Sequence, residues 1–194
     1  MSPSKTTIGR APRQCAGGFL ARFGAAREAF AAVEFALIAP FMIATYFGVT
    51  ELCDAYAAGS KVTSVASTAA DLVAQENAVC NAEMDDVFEA LDAILFPYPA
   101  ENMQIVVSSL IDAGNGTIRV AWSDGHNASP LAVNSLVTIP DGLVTAGGSV
   151  IFAEVTYNYE SPAGHLIYGV RPISDKFYTH PRRAVQIARS ASNC

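Results

Sequence analysis

A chain of 194 residues has room for one modest domain plus extras, and 51% apolar residues with a mean hydropathy of +0.28 is high for a purely soluble protein. One membrane segment accounts for the excess. The net charge is −6, and the basic residues gather mostly in one tail, which gives no support to nucleic-acid binding, where a basic face interleaved with aromatics is expected.

Residues 1–29 carry Lys5, Arg10, Arg13, Arg22 and Arg27 against the single acid Glu28, while the remainder holds 7 basic residues against 17 acids. That asymmetry is the positive-inside pattern: a basic cytoplasmic leader, with the acidic remainder outside. Residues 30–52, "FAAVEFALIAPFMIATYFGVTEL", form the apolar run. As a helix rising ~1.5 Å per residue the run reaches roughly 34 Å, enough to cross a hydrocarbon core of about 30 Å with some tilt. Pro40 kinks such a helix without forbidding it. Glu34 is the anomaly, because a carboxylate at the centre of a membrane helix costs about 2.5 to 3.5 kcal/mol and less near the edge. Either it snorkels to the headgroups of the inner leaflet, or a positive partner within the membrane meets it.

The stretch "KVTSVASTAADLV" then sets Val62, Val65, Ala66, Ala69, Leu72 and Val73 at spacings of three and four, one face of a helix. It reads as residues 53–76 of the same helix, with Gly59 and Ser60 able to bend it without ending it. Residues 77–194 form the expected α+β head. A second helix is predicted from a cap at Asn81, with Glu83, Asp85 and Asp86 at the positive end of its dipole. Met84, Val87, Phe88, Leu91, Ile94 and Leu95 make its apolar face, and Pro97 and Pro99 stop it. The acids invite a metal or catalytic reading, but a helix N-terminus selects carboxylates on electrostatic grounds alone.

From Met103 the period changes to two. "MQIVVSSL", "DAGNG" and "TIRVAWS" read as a hairpin. "SVIFAEVTYNYE" is the clearest strand, half buried, with Ile151, Ala153, Val155, Tyr157 and Tyr159 on one side. "HLIYGV" and "RAVQIARS" are weaker strand candidates, and "DGHNASP" and "TIPDGLVTAGG" read as loops. Helix first and antiparallel strands afterwards make an α+β head on a helical stalk.

On this topology Cys15 is cytoplasmic, Cys53 lies at the outer membrane boundary, and Cys80 and Cys194 share the oxidising side. Cys80 with Cys194 is the preferred disulfide, worth about 4 kcal/mol in the chain-entropy model, and it would pin the C-terminus. Cys53 is equally eligible as an oxidising-side thiol, and an inter-chain Cys53 bond is the rival. His126, His165 and His180 are scattered, with no metal-ligand spacing, and neither a nucleophile elbow nor a phosphate-cradling loop occurs. No cofactor and no enzymatic activity are expected. Asn115 and Asn127 fit glycosylation sequons in predicted turns.

"AFAAVEFALIAPF" resembles the N-terminal signature of TadE/TadG-like pilus assembly proteins, the minor pilins or pseudopilins of tight-adherence (Flp, type IVc) pili. "KVTSVASTAADLVAQ" is similar to their post-membrane helix, and "VIFAEVTYNYESP" with "HPRRAVQIARS" to their terminal strands. The resemblance implies a pilin-like fold: a long N-terminal helix with a transmembrane first half, then a small antiparallel β-sheet head with one additional helix. It implies a place in the bacterial inner membrane with the C-terminal domain in the periplasm, and partners among pilin subunits and the assembly machinery. In type IV pilins the glutamate is the fifth residue after the prepilin peptidase cut. By that count Phe30 is the first mature residue and Ala29 precedes the cut, where the family usually has glycine. The new amine of a neighbouring copy would then be the cation for Glu34. Ala32 with Ala36, and Ala44 with Gly48, would let another helix approach.

A secreted binding protein is the competing reading, with residues 1–57 as a signal peptide ending in "AYA". Its leader of 29 residues is long for that purpose, and Glu34 would be pointless. A catalytic periplasmic domain on a tether is the third reading, and it lacks any catalytic constellation.

Overall fold

The computed structural model describes residues 27–114, 116–140, 142–161 and 169–191. The chain divides into two compact units, residues 1–49 and 50–194. Helix α1 spans Arg27–Ala74 without interruption, Pro40 included, so neither Gly59 nor Ser60 ends it. It is followed by β1 (Ala78–Val79), α2 (Asn81–Leu95), a 3-10 turn at Ala100–Asn102, β2 (Met103–Asp112), β3 (Ile118–His126), β4 (Ser149–Tyr159), β5 (Arg171–Thr179) and β6 (Ala188–Arg189). The fold is α+β.

Within the first unit the described part is helix, and its side chains lie open on every side, from Phe30 and Phe35 through Phe41 and Phe47 to Val49. A helix that is apolar all round belongs in an apolar medium rather than against one sheet face.

In the second unit the strands run β3-β2-β4-β5, all antiparallel, and β1 pairs with β6 in a separate parallel ribbon. One face of the four-stranded sheet carries Met103, Ile105 and Val107 of β2 and Ile151, Ala153, Val155, Tyr157 and Tyr159 of β4. Both helices contribute to the core on this face. From α1 come Ala58, Val62, Val65, Ala66, Ala69, Ala70, Val73 and Ala74; from α2 come Met84, Phe88, Leu91 and Leu95. At ~25 cal/mol per Å², burying a side chain of the size of Leu or Val fully is worth about 1.5 to 3 kcal/mol, so this layer dominates the fold.

The opposite face carries a smaller cluster: Leu110, Val120, Val150 and Phe152, packed by Leu131, Val137, Ile139 and Val144 from the long β3–β4 connection. The first half of β4 is therefore buried on both faces rather than half buried. A bulge allows β3 to serve both cores. Ser109 pairs with Trp122 but Leu110 with Val120, so Ala121 is the extra residue, and Trp122 and Val120 turn to opposite faces.

Four details differ from the sequence reading. The N-cap of α2 is Cys80, not Asn81; the Glu83 carboxylate accepts the Cys80 backbone N–H at 2.9 Å, and Asn81 is left free to bind the chain end. β3 runs on through Asp124, Gly125 and His126, because Val107, Val106 and Ile105 of β2 offer partners there. A Cβ on Gly125 would lie 2.2 Å from the Ala128 carbonyl oxygen, so the chain can turn back at this point only over a glycine. β5 has no counterpart in the sequence reading. "RAVQIARS" supplies only the two-residue β6, and "HLIYGV" lies largely outside the described residues.

Three tyrosines of the main core, Tyr98, Tyr157 and Tyr159, have their phenols pushed above the usual value by burial. The carboxylate of Asp54 adds to the effect at Tyr98 and Tyr159. A raised folded-state value means that the neutral phenol is preferred by the folded state. Stability is then constant below about pH 10, the unfolded value, and falls as pH rises through the folded values. In detergent micelles the full chain should show a constant urea midpoint from pH 7 to 9 and a falling one above pH 10, tracked by tyrosinate absorbance. Tyr159→Phe removes a buried hydroxyl that has no hydrogen-bond partner among the described residues, so it should leave neutral-pH stability intact and flatten the alkaline fall.

Candidate functional site

Phe30 to Ala74 is long and apolar enough to cross a membrane, and among the described residues no side chain of its most apolar window is buried. Glu34 is the sole charged side chain from residue 30 to residue 50, and it lies on the exposed surface of the helix. Among the described residues it has no ion pair and no hydrogen bond, so any cation that meets it must come from elsewhere. Phe30 is 76% exposed, one turn before Glu34. The backbone of Ala29 is helical; its side chain lies outside the described residues. Ala32, Ala36, Ala44 and Gly48 are exposed, and a Cβ on Gly48 would touch nothing within 4 Å, so the fold itself does not require a glycine there.

The second polar constellation ties the C-terminal segment to the head. Arg189 makes a bidentate pair with Asp124, Nε to Oδ2 at 2.7 Å and Nη2 to Oδ1 at 2.9 Å, and Nη2 also donates to Asn81 Oδ1 at 2.8 Å. Its Nη1 donates to the Ser190 carbonyl. The hydrogen bonds it donates to Asp124 hold the guanidinium even more firmly protonated than usual, against a smaller opposing effect of burial. Trp122 Nε1 donates to the Ile187 carbonyl at 2.8 Å, and the Ser190 N–H to the Val79 carbonyl at 2.9 Å. Arg182 N–H reaches the Ala74 carbonyl at 2.8 Å, satisfying one of the orphan acceptors at the end of α1. Sequence reasoning missed this clamp. Its one signal was an arginine inside an otherwise weak strand pattern.

Cys80, at the start of α2, is disulfide-bonded, and Cys53 is free and exposed. Cys194, the expected partner, and Cys15 lie outside the described residues. The Asn81 side chain donates to the Ala191 carbonyl at 2.8 Å, which brings the chain three residues short of Cys194 up to the residue after Cys80.

The remaining candidates that are described make structural contacts. Glu83 caps α2. Asp92 faces His126 at 3.4 Å, and the imidazole stacks on Phe88. His180 meets the Leu143 carbonyl at 2.8 Å, while His165 lies outside the described residues. Among the described residues no three His, Cys, Asp or Glu side chains gather as metal ligands. Asn127 takes a left-handed φ of 53° and its amide donates to the Met103 carbonyl, so it closes a turn; Asn115 is outside the described residues.

Residues 30–71 match the family model described as TadE-like protein. The match falls wholly within α1 and takes in none of the sheet. No curated protein and no solved structure matches the chain.

Asp124→Ala would leave the partly buried guanidinium of Arg189 without its carboxylate and should destabilise the head by about 2 to 3 kcal/mol in urea titrations. Hydrogen exchange at Ala188 and Ser190 should accelerate in the same variant. Glu154→Ala, which breaks the more exposed pair with Lys176, should cost under about 1 kcal/mol.

Proposed function

From a chain that is TadE-like over residues 30–71, we propose a structural and assembly role in a Tad-type pilus. The protein is a single-span, pilin-like component of the bacterial inner membrane that supports pilus biogenesis and adhesion. Its residues 1–29 are cytoplasmic, residues 30–52 span the bilayer, 53–76 continue the helix, and 77–194 form a periplasmic head. The observation that carries this reading is the coincidence of the family match with the apolar stretch that holds one charge, Glu34. The basic leader and acidic remainder support the orientation.

In this reading prepilin peptidase cuts between Ala29 and Phe30, and the amine released on a neighbouring subunit pairs with Glu34. A charge-assisted contact in hydrocarbon is favourable only when both partners are present, so the pair selects assembled neighbours over solitary helices. Ala32, Ala36, Ala44 and Gly48 give the close backbone approach that such a neighbour needs. The described helix leaves all four open, which supports an external partner. The adhesive surface itself is not assigned.

Glu34→Gln should insert normally and abolish incorporation into pili, or support of them, by at least tenfold, the loss that a 1.4 kcal/mol contact implies. Wild-type piliation in that variant would remove the role of the carboxylate. Intact-mass measurement of membrane-isolated protein tests processing in parallel. An N-terminus at Phe30 supports the cut, Met1 supports an uncut anchor, and one near Ala58 supports the secreted alternative.

We also propose the Cys80–Cys194 disulfide, supported by the bonded state of Cys80, the free state of Cys53 and the Asn81–Ala191 contact. Non-reducing peptide mapping should yield one cross-linked species joining the Cys80 and Cys194 peptides. A Cys53 cross-link between chains would overturn the assignment.

A further inference from the structure

The head carries exposed apolar side chains at the end where its helix segment begins. Leu52 (70% exposed) and Tyr56 (78%) lie on adjacent turns of α1, Phe96 (75%) follows the last residue of α2, and Val170 (52%) precedes β5. These come from three separate elements, and each is tied to the same stretch of α1. The Tyr98 hydroxyl donates to the Asp54 carbonyl at 3.2 Å, which fixes the loop bearing Phe96. The Ile94 carbonyl on the other side of Phe96 accepts from Lys61 Nζ at 3.1 Å. The Ser161 hydroxyl donates to the Glu51 carboxylate, which fixes the end of β4, and Arg171, next to Val170, pairs with Tyr159 of that strand.

Chain connectivity alone places this end at the membrane boundary. Leu52 closes the apolar run, and at ~1.5 Å per helical residue Tyr56 is within roughly 6 Å of it. The polar layer outside the hydrocarbon is itself about 5 to 8 Å thick on each side, the depth at which aromatic side chains concentrate. The other exposed apolar residues do not share this position. Val185 is tied to Ser149, whose hydroxyl donates to its carbonyl, at the far end of β4 and about 33 Å from Tyr159 at ~3.3 Å per residue.

Building on the single-span reading, we infer that this end of the head is a second, monotopic membrane contact. Phe96, with Tyr56, Leu52 and Val170, seats in the headgroup and acyl boundary of the leaflet from which the helix emerges. The occupant is lipid rather than protein, because Leu52 and Tyr56 continue the apolar run along α1, and Phe96 and Val170 stand on two further elements tied to that same stretch. The acids at this end, Glu51, Asp54 and Glu160, outnumber the bases Lys61 and Arg171, and the Lys61 ammonium is already engaged by the Ile94 carbonyl. The contact is therefore with the acyl boundary and not with anionic headgroups. Its effect is to hold the head against the bilayer surface, which limits the orientations in which it meets a neighbouring subunit.

The test uses the full chain with Cys15→Ser and Cys53→Ser, reconstituted in phosphatidylcholine nanodiscs and spin-labelled at one introduced cysteine. The sites are Phe96→Cys, Val185→Cys as the distal reference and Ile43→Cys inside the span, with Trp122 emission as the check on folding. Relaxation by oxygen relative to a water-soluble nickel complex should be several-fold higher at 96 than at 185, and highest at 43. Equal ratios at 96 and 185, with 43 in lipid, overturn the contact while leaving the span intact. Shielding of 96 from both agents means protein cover and overturns it as well. A water-accessible 43 defeats the spanning reading, and this inference with it.

Discussion

The close approach of α1 to the sheet is the contact on which the rest of the head depends. The helix buries no side chain larger than valine along Ala58, Val62, Val65, Ala66, Ala69, Ala70, Val73 and Ala74. The bulk that fills the layer comes from the facing elements, as Tyr157, Met103, Ile105, Met84 and Leu91. Small residues on one side and large ones on the other let the surfaces interdigitate at native density. A larger side chain anywhere on the alanine stripe would lift the helix and loosen both β4 and α2, a repacking that typically costs 1 to 3 kcal/mol.

That stripe also explains how one continuous helix serves two surroundings. Over residues 58–74 the buried apolar positions keep to one side, and the other side carries Ser60, Ser64, Ser67, Thr68 and Asp71. Ser64 and Ser67 return their hydroxyls to carbonyls one turn back, and Thr63 donates to Asp175 of β5, so polar groups on a long helix find partners without breaking it. Over residues 30–49 no polar side exists. Between these two stretches the helix passes from all-round to one-sided apolarity, and the boundary of the two compact units falls there.

Elements with a strong period were legible in the sequence. The α1 and α2 stripes, the β2–β3 hairpin and β4 each repeat apolar residues often enough that a single burial pattern fits. β5 was not legible, for a physical reason: it is an edge strand, mostly exposed, and Pro172 with the Asp175–Lys176 pair suppresses alternation. The same residues guard the free edge against pairing with other chains. The second core escaped notice because the bulge at Ala121 breaks the parity that connects Val120 to Trp122. The cap of α2 was misread by one residue because cysteine is a weak acceptor; here the polar work is done by Glu83, and Asn81 is spent on the chain end. Glu34 was legible as an anomaly, yet its partner was not, since none of the described residues supplies one.

The covalent and non-covalent ties of the head meet at one place. The Arg189 clamp and the β1–β6 ribbon join the segment that follows α1 to the C-terminal segment, the Trp122–Ile187 bond ties the latter to β3, and Cys80 in the former is disulfide-bonded. A two-residue parallel ribbon has too few hydrogen bonds to hold a chain end by itself. A bidentate arginine adds direction, and a disulfide removes unfolded-state entropy that those few bonds would otherwise have to overcome. The C-terminal segment is the piece of chain that reaches the end of α1: the Arg182 N–H binds the Ala74 carbonyl, and β6 pairs with β1 just beyond it.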